Sequence, residues 1–87
     1  MKFKLNESCI LSDFEDGLLV LNIETGKYLE LNSIAAEIIQ YLKENLAIDE
    51  IVQKLHANYE QSEREISKQV HSFINSAQKQ KIISPKN

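Results

Sequence analysis

Residues 17–32, GLLVLNIETGKYLELN, decide the fold of this chain. Two runs with strand-type composition, residues 18–23 and residues 28–31, flank a turn in which Gly26 can adopt a positive φ angle. Asn32 and Ser33 follow directly, and both residue types are favoured at helix N-termini. The stretch therefore predicts a hairpin whose second strand is the last strand of a small sheet.

The last strand of a sheet is often an edge strand, which presents unpaired backbone N–H and C=O groups. Proteins either shield such an edge or use it. One use is to accept an extended peptide as an additional strand. We therefore expect residues 28–31 to be an edge that is shielded or that binds a peptide.

Beyond residue 33 the spacing of apolar residues changes from two to about 3.6, which is typical of helices. A first helix is predicted from residue 33 to about residue 45, and a second from residue 48 to about residue 58. Ser62 and Glu65 have the spacing of a capping box, which predicts the start of a third helix that ends near Lys79. Upstream, residues 2–5 and 9–11 are predicted strands, and residues 13–17 a turn.

Composition indicates one globular domain. The chain has 87 residues, of which 43% are hydrophobic and 26% charged. We therefore expect a single domain over residues 1–87, with strands in about 2–32 and helices in about 33–83.

The net charge of −3 argues against a nucleic-acid partner. The N-terminus lacks the apolar segment of a signal peptide, and no run is long enough to span a membrane. We expect a cytoplasmic protein without a membrane partner.

The sequence contains no recognisable catalytic or metal-binding constellation. His56 and His71 lie on different predicted helices, without a second ligand at metal-binding spacing. Cys9 lies in an apolar run, where a thiol usually behaves as a small hydrophobic group. The acidic residues of segment 13–16 lack the spacing of a calcium loop. We therefore expect no catalytic residue, metal or cofactor, and interpret the chain as a binding module.

Two alternatives remain open from the residues alone. The second and third helices have the topology of a helix-turn-helix, so the chain could be a winged-helix DNA-binding protein, although its third helix mixes Glu63, Arg64 and Lys68 without a basic stripe. An unoccupied strand edge can also pair with a second copy. The latter alternative is a structural domain that forms a homodimer through its free edge.

Three segments together resemble a known family: LLVLNIETGKYLELNSIAAEIIQYL at residues 18–42, AIDEIVQKLHANY at residues 47–59, and a third helix from Ser62 that closes with KQKII at residues 79–83. In this order they resemble the PqqD-like family, peptide-recognition domains named for pyrroloquinoline quinone biosynthesis protein D. These domains are also called RiPP recognition elements, after the ribosomally synthesised and post-translationally modified peptides. The resemblance extends from about Cys9 to Ile83.

The resemblance implies an α+β winged helix-turn-helix architecture, in which a three-stranded antiparallel sheet is followed by three helices. It also implies binding of a precursor's leader peptide, which adds to the third strand and enters a groove against the third helix. Here these elements correspond to residues 28–31 and 62–79. The candidate peptide-binding residues are Lys27, Tyr28, Leu29, Glu30, Leu31, Ile66, Lys68, Gln69, Val70 and Phe73.

Within this set, we expect the backbone of residues 28–31 to supply affinity and side-chain pockets to supply selectivity. Leu31 is expected in the core and Leu29 where core and groove meet. Ile66, Val70 and Phe73 are each left open between core and groove floor. Lys27, Lys68 and Gln69 are expected at the rim.

The resemblance further implies a non-catalytic adaptor that acts in trans, because no enzyme is fused to the domain. Its partners would be the precursor leader peptide and separate maturation enzymes. We favour a lasso-peptide pathway, with a leader peptidase and a cyclase. The alternative is a leader-binding chaperone for a radical SAM peptide-modifying enzyme.

Overall fold

The computed structural model describes residues 2–14 and 17–86. The elements follow in the order β1 (Phe3–Leu5), β2 (Cys9–Phe14), β3 (Gly17–Asn22), β4 (Tyr28–Leu31), α1 (Ser33–Lys43), α2 (Ile48–Asn58), α3 (Glu63–Lys79) and β5 (Ile83–Pro85). Strands β2, β3 and β4 form an antiparallel sheet in that order, and the three helices follow it. The predicted α+β fold, a three-stranded antiparallel sheet followed by three helices, is confirmed.

The β3–β4 hairpin closes through a bulge at Gly26. The Gly26 N–H donates to the Asn22 carbonyl at 2.8 Å, and the Asn22 N–H donates to the Lys27 carbonyl at 2.8 Å. Gly26 has φ +76°, the conformation that this bulge requires of its first residue. The turn leaves β4 at an edge of the sheet, as predicted from the sequence.

Two strand assignments differ from the sequence analysis. Strand β2 extends to Phe14 because Asp13 pairs with Leu18 and Phe14 pairs with Gly17, so residues 13, 14 and 17 are strand rather than turn. Residues 15 and 16 of the predicted turn lie outside the described residues. Strand β1 leaves the main sheet and pairs with β5, which the sequence analysis did not predict.

One apolar core joins the sheet to the helices. Val20 and Leu31 on the inner sheet face are buried, and so are Ile38 of α1, Leu55 of α2 and Ile66 of α3. The opposite face of the sheet exposes large apolar side chains. Ile10 and Tyr28 pair with the same residue, Leu21 of the central strand, and lie on this exposed face.

Side chains at the N-termini explain where the helices begin. The Asn32 Oδ1 accepts from the Ala35 N–H at 2.8 Å, and the Ser62 hydroxyl accepts from the Glu65 N–H at 3.2 Å. Each bond satisfies a backbone donor that lacks a partner within its helix. The predicted starts of α1 and α3 are confirmed.

The described helices are all too short or too polar to cross a lipid bilayer. Within residues 2–14 and 17–86, no three His, Cys, Asp or Glu side chains come together in a way that could hold a metal ion.

Candidate functional site

The backbone groups of β4 are divided between the sheet and its free edge. The bond from Asn22 N–H to the Lys27 carbonyl marks a hydrogen-bonded pair at the base of the hairpin. In an antiparallel ladder such pairs recur at every second residue. The register therefore places Leu29 and Leu31 in bonded positions opposite β3, and their N–H and C=O groups are used within the sheet.

Tyr28 and Glu30 occupy the intervening positions of the register. Their N–H and C=O groups consequently point away from β3, toward the free edge. The sequence analysis expects all four residues from 28 to 31 to offer backbone groups to a peptide. The register reduces this number to two. Only the backbones of Tyr28 and Glu30 can accept an added strand along β4.

A groove of about 550 Å³ lies beside this edge, between β4 and α1 on one side and α3 on the other. We call it the β4–α3 groove. The sheet and α1 contribute Leu29, Glu30, Asn32, Ile34, Ala35 and Ile38 to its lining. Helix α3 contributes Lys68, Gln69, Ser72, Phe73 and Ser76.

The floor of the β4–α3 groove is apolar, and its rim carries a positive charge. Ile38 is fully buried at the base, while Leu29 and Phe73 are half-buried. Lys68, which is exposed, brings an ammonium group to the lining, whereas the side chain of Glu30 shares the opposite sheet face with Tyr28, because side chains alternate along a strand. The groove can therefore bury apolar side chains while polar groups orient them at the rim.

Five of the candidate residues line the groove together, namely Leu29, Glu30, Lys68, Gln69 and Phe73. The others lie elsewhere. Lys27 is exposed in the hairpin turn, and Tyr28 projects its ring from the opposite sheet face. Leu31, Ile66 and Val70 belong to the core.

The buried residues of α3 show that Ile66 and Val70 are core residues and not groove residues. With about 100° of rotation per residue, Ile66, Val70 and Ile74 follow one stripe of α3, and all are buried. Gln69, Phe73 and Ser76 follow a neighbouring stripe, which reaches the groove. Angular position separates Val70 from the groove. Ile66 and Phe73 are seven residues apart, so they lie within about 20° of each other around the helix and about 10 Å apart along its axis. Their positions along α3 therefore place Ile66 in the core and Phe73 at the groove.

Sequence reasoning missed several groove residues. Ser72 and Ser76 lie three and seven residues after Gln69, so helical spacing alone places them on its face. Ile34 and Ile38 of α1 also line the groove, whereas the family resemblance points only to the third strand and the third helix. The sequence predicts a capping role for Asn32, and the structure shows that it both caps α1 and lines the groove.

Asn22 ties the hairpin to the turn that follows α3. Its side chain is almost fully buried, and its Nδ2 donates to the Lys81 carbonyl at 2.7 Å. Its Oδ1 accepts from the Ser8 hydroxyl and the Glu24 N–H, both at 2.9 Å. These bonds hold the two walls of the groove, β4 and α3, in a defined relation.

Comparisons with known proteins agree with this architecture. The family model described as "Coenzyme PQQ synthesis protein D (PqqD)" matches residues 17–83. No curated protein sequence matches the chain.

Two solved structures share the fold. The first, "Lasso peptide synthetase B1 complexed with the leader peptide", has a TM-score of 0.88 and 22% identity, and the alignment covers 98% of this chain and 100% of that chain. The second, "TbiB1 in Complex with the TbiA(beta) Leader Peptide", has a TM-score of 0.85 and 19% identity, with 97% of this chain and 98% of that chain covered. At these identities the likeness is one of fold.

Proposed function

Because this chain belongs to the PqqD family, we propose that it binds the leader region of a ribosomally synthesised precursor peptide. The observation that carries the proposal is the position of the β4–α3 groove directly beside the free edge of β4. Both structural neighbours are described as complexes with leader peptides, which supports the same role for this chain.

In the proposed complex the leader adds to β4 as a fourth strand of the sheet. It exchanges backbone hydrogen bonds with Tyr28 and Glu30, whose N–H and C=O groups point outward. An added strand runs about 4.8 Å from β4, and its alternate side chains point to the helix side of the sheet. Those side chains would enter the groove over Leu29 and Phe73.

The charge at the rim argues for moderate selectivity. Lys68 favours an acidic leader residue. Exposed ion pairs contribute about 0–1 kcal/mol each. Affinity in this proposal therefore comes from the backbone bonds and apolar burial, and the charge of Lys68 selects among leaders.

The same proposal makes the chain a non-catalytic adaptor, with residues 1–87 acting as one peptide-binding domain. It would present the bound precursor to separate enzymes, a leader peptidase and a cyclase of a lasso-peptide pathway. The description of one neighbour as "Lasso peptide synthetase B1" supports this pathway.

A fluorescence-polarisation titration tests the function. The labelled ligand is the leader region of the short precursor peptide that is encoded beside this protein. We expect saturable binding by the wild type and at least tenfold weaker binding by Glu30→Pro, which removes an outward N–H and crowds the edge with its ring. Asp13→Pro is the matched control, because the register places the Asp13 N–H on the outward side of the opposite edge strand. It should bind as the wild type does.

Leu29→Pro gives the contrasting result, since it removes an N–H that bonds to β3 and should destabilise the sheet itself. Circular dichroism and urea unfolding distinguish this loss of fold from loss of binding. Unchanged affinity in a folded Glu30→Pro protein would refute strand addition to β4. Absence of leader binding by the wild type would refute the adaptor function.

A further inference from the structure

A second groove, of about 690 Å³, lies on the other flank of α3. It runs between α2 and α3 and includes Phe3 of β1, and we call it the α2–α3 groove. Phe3, Val52 and Ile74 form an apolar floor, and each is almost fully buried. The proposed leader site does not use any of these residues.

The rim of the α2–α3 groove is acidic. Asp49 in the first turn of α2 and Glu63 in the first turn of α3 bring two carboxylates to it, and both residues are exposed. The described residues that line this groove include no Lys or Arg. It thus combines an apolar floor with a negative rim, whereas Lys68 brings a positive charge to the β4–α3 groove.

The geometry of α3 separates the two grooves. Glu63, Ser67, His71 and Gln78 follow the stripe that lines the α2–α3 groove, and Gln69 and its neighbours follow the stripe of the β4–α3 groove. At about 100° per residue these stripes lie on opposite flanks of a helix some 10 Å wide. The buried stripe through Val70 lies between them. Both grooves can therefore be occupied at once.

We propose that the α2–α3 groove docks an enzyme that acts on the bound precursor, through a segment that presents Arg or Lys beside an apolar side chain. The inference rests on the proposed function, because it needs a precursor held on the other flank of α3. The apolar floor would supply contact area. The carboxylates of Asp49 and Glu63 would steer and select the cationic segment.

Charge also decides against a second copy of this chain as the occupant. A twofold dimer brings the same surface of both copies together. Through this groove it would place Asp49 and Glu63 opposite or beside their own copies. The chain has a net charge of −3, so the approach of two acidic rims is unfavourable.

The test uses the leader peptidase and the cyclase that process the same precursor, each purified and titrated by isothermal calorimetry against the full chain. The groove variant is Asp49→Asn/Glu63→Gln. The matched control is Glu50→Gln/Glu65→Gln, because these acids also lie in the first turns of α2 and α3 but outside the groove lining. Both variants change the net charge equally.

We expect at least one of the two enzymes to bind the wild type, with affinity that falls as salt is raised. The groove variant should bind that enzyme about tenfold more weakly, and the control as the wild type does. The affinity of both variants for the labelled leader should be unchanged. Saturating leader should leave the enzyme bound.

The inference is overturned if neither enzyme binds, if groove and control variants bind equally, or if leader and enzyme exclude one another. Sedimentation that shows self-association lost only in the groove variant would identify a second copy as the occupant and would also overturn it. Failure of the proposed function is a separate result, because the leader titration of the wild type reports it without either enzyme.

Discussion

At the scale of single residues, Phe73 and Ile66 show how α3 serves both the core and the β4–α3 groove. Ile66 is fully buried, whereas Phe73 is half-buried and lines the groove. Both are large apolar residues at helical spacing. They are seven residues apart and lie on nearly the same side of α3, so their different positions along the helix axis assign the first to stability and the second to the candidate site.

Substitution by alanine should separate these roles. Ile66→Ala should lower the free energy of unfolding by about 2–5 kcal/mol, because it leaves a cavity in the core. The folded Ile66→Ala protein should bind leader normally. Phe73→Ala should destabilise less and weaken leader binding about tenfold, measured by urea unfolding and fluorescence polarisation. Equal leader affinity for Phe73→Ala and the wild type would exclude Phe73 from the peptide contact.

Tyr59 makes the fold sensitive to alkaline pH. Its hydroxyl donates a hydrogen bond to a carboxylate oxygen of Glu37, which links the end of α2 to α1. That bond is the main reason that the pKa of Tyr59 is raised above 10.0, with burial and the negative charge of Glu37 acting in the same direction. The protonated tyrosine is thus favoured in the folded state.

Because the folded pKa of Tyr59 is higher than the unfolded one, this contribution is present below the unfolded pKa and is lost as pH rises through the folded pKa. We expect the free energy of unfolding, measured with urea, to fall between about pH 8 and about pH 11. It should fall less for Tyr59→Phe than for the wild type. Tyr28→Phe, which removes the hydroxyl of an exposed tyrosine, should retain the wild-type loss. Identical pH dependence in all three proteins would contradict this role of Tyr59.

At the scale of elements, the β3–β4 hairpin sets which backbone groups reach the free edge. Its bulge at Gly26 fixes the pair formed by Asn22 and Lys27, and the alternation along β4 follows from that pair. A shift of one residue would exchange the outward positions of Tyr28 and Glu30 for those of Leu29 and Leu31. The candidate edge therefore depends on the turn.

Gly26→Ala tests the turn directly. A Cβ placed at Gly26 meets no atom within 4 Å, so the only cost is the positive φ angle. We expect the free energy of unfolding to fall by about 1–2 kcal/mol for alanine, and by less for Gly26→Asn, because asparagine tolerates this conformation better. Wild-type stability of Gly26→Ala in urea unfolding would show that the bulge does not form.

At the scale of the whole molecule, the first and last strands close the fold. Strand β1 pairs with β5, and the Asn6 N–H donates to the Ile82 carbonyl at 2.9 Å. The neighbouring Lys81 carbonyl accepts from the side chains of Asn6 and Asn22. The end of α3 is thus joined both to the N-terminal strand and to the β3–β4 hairpin.

Ile82→Ala should therefore destabilise the whole domain. Ile82 is fully buried beyond the end of α3, and its truncation should cost about 2–5 kcal/mol in the free energy of unfolding. Ile23→Ala is the matched control, because Ile23 is 63% exposed, and it should change stability by little. If urea unfolding gives similar values for both variants, the region around β5 does not contribute to the cooperative fold.

The sequence by itself determined the order of the first four strands and the three helices, the hairpin at Gly26, the starts of α1 and α3, and the family. These features rest on local signals, because a turn glycine, the caps at Asn32 and Ser62 and the 3.6-residue spacing act within a few neighbouring residues. The candidate edge strand could be predicted from the same local signals. Part of the groove, such as Leu29 and Phe73, could be predicted from the family resemblance.

Only the tertiary structure decided the pairing of β1 with β5, the outward positions of Tyr28 and Glu30, and the separation of Ile66 and Val70 from the groove. The physical reason for the first and the third is that they depend on contacts between distant segments, and for the second that a shift of one residue in the hairpin register would reverse which backbone groups point outward. Residues 3–5 carry no mark of a partner at residues 83–85, and an apolar residue on a helix does not itself reveal which neighbour covers it. The α2–α3 groove likewise exists only where two helices and the first strand meet.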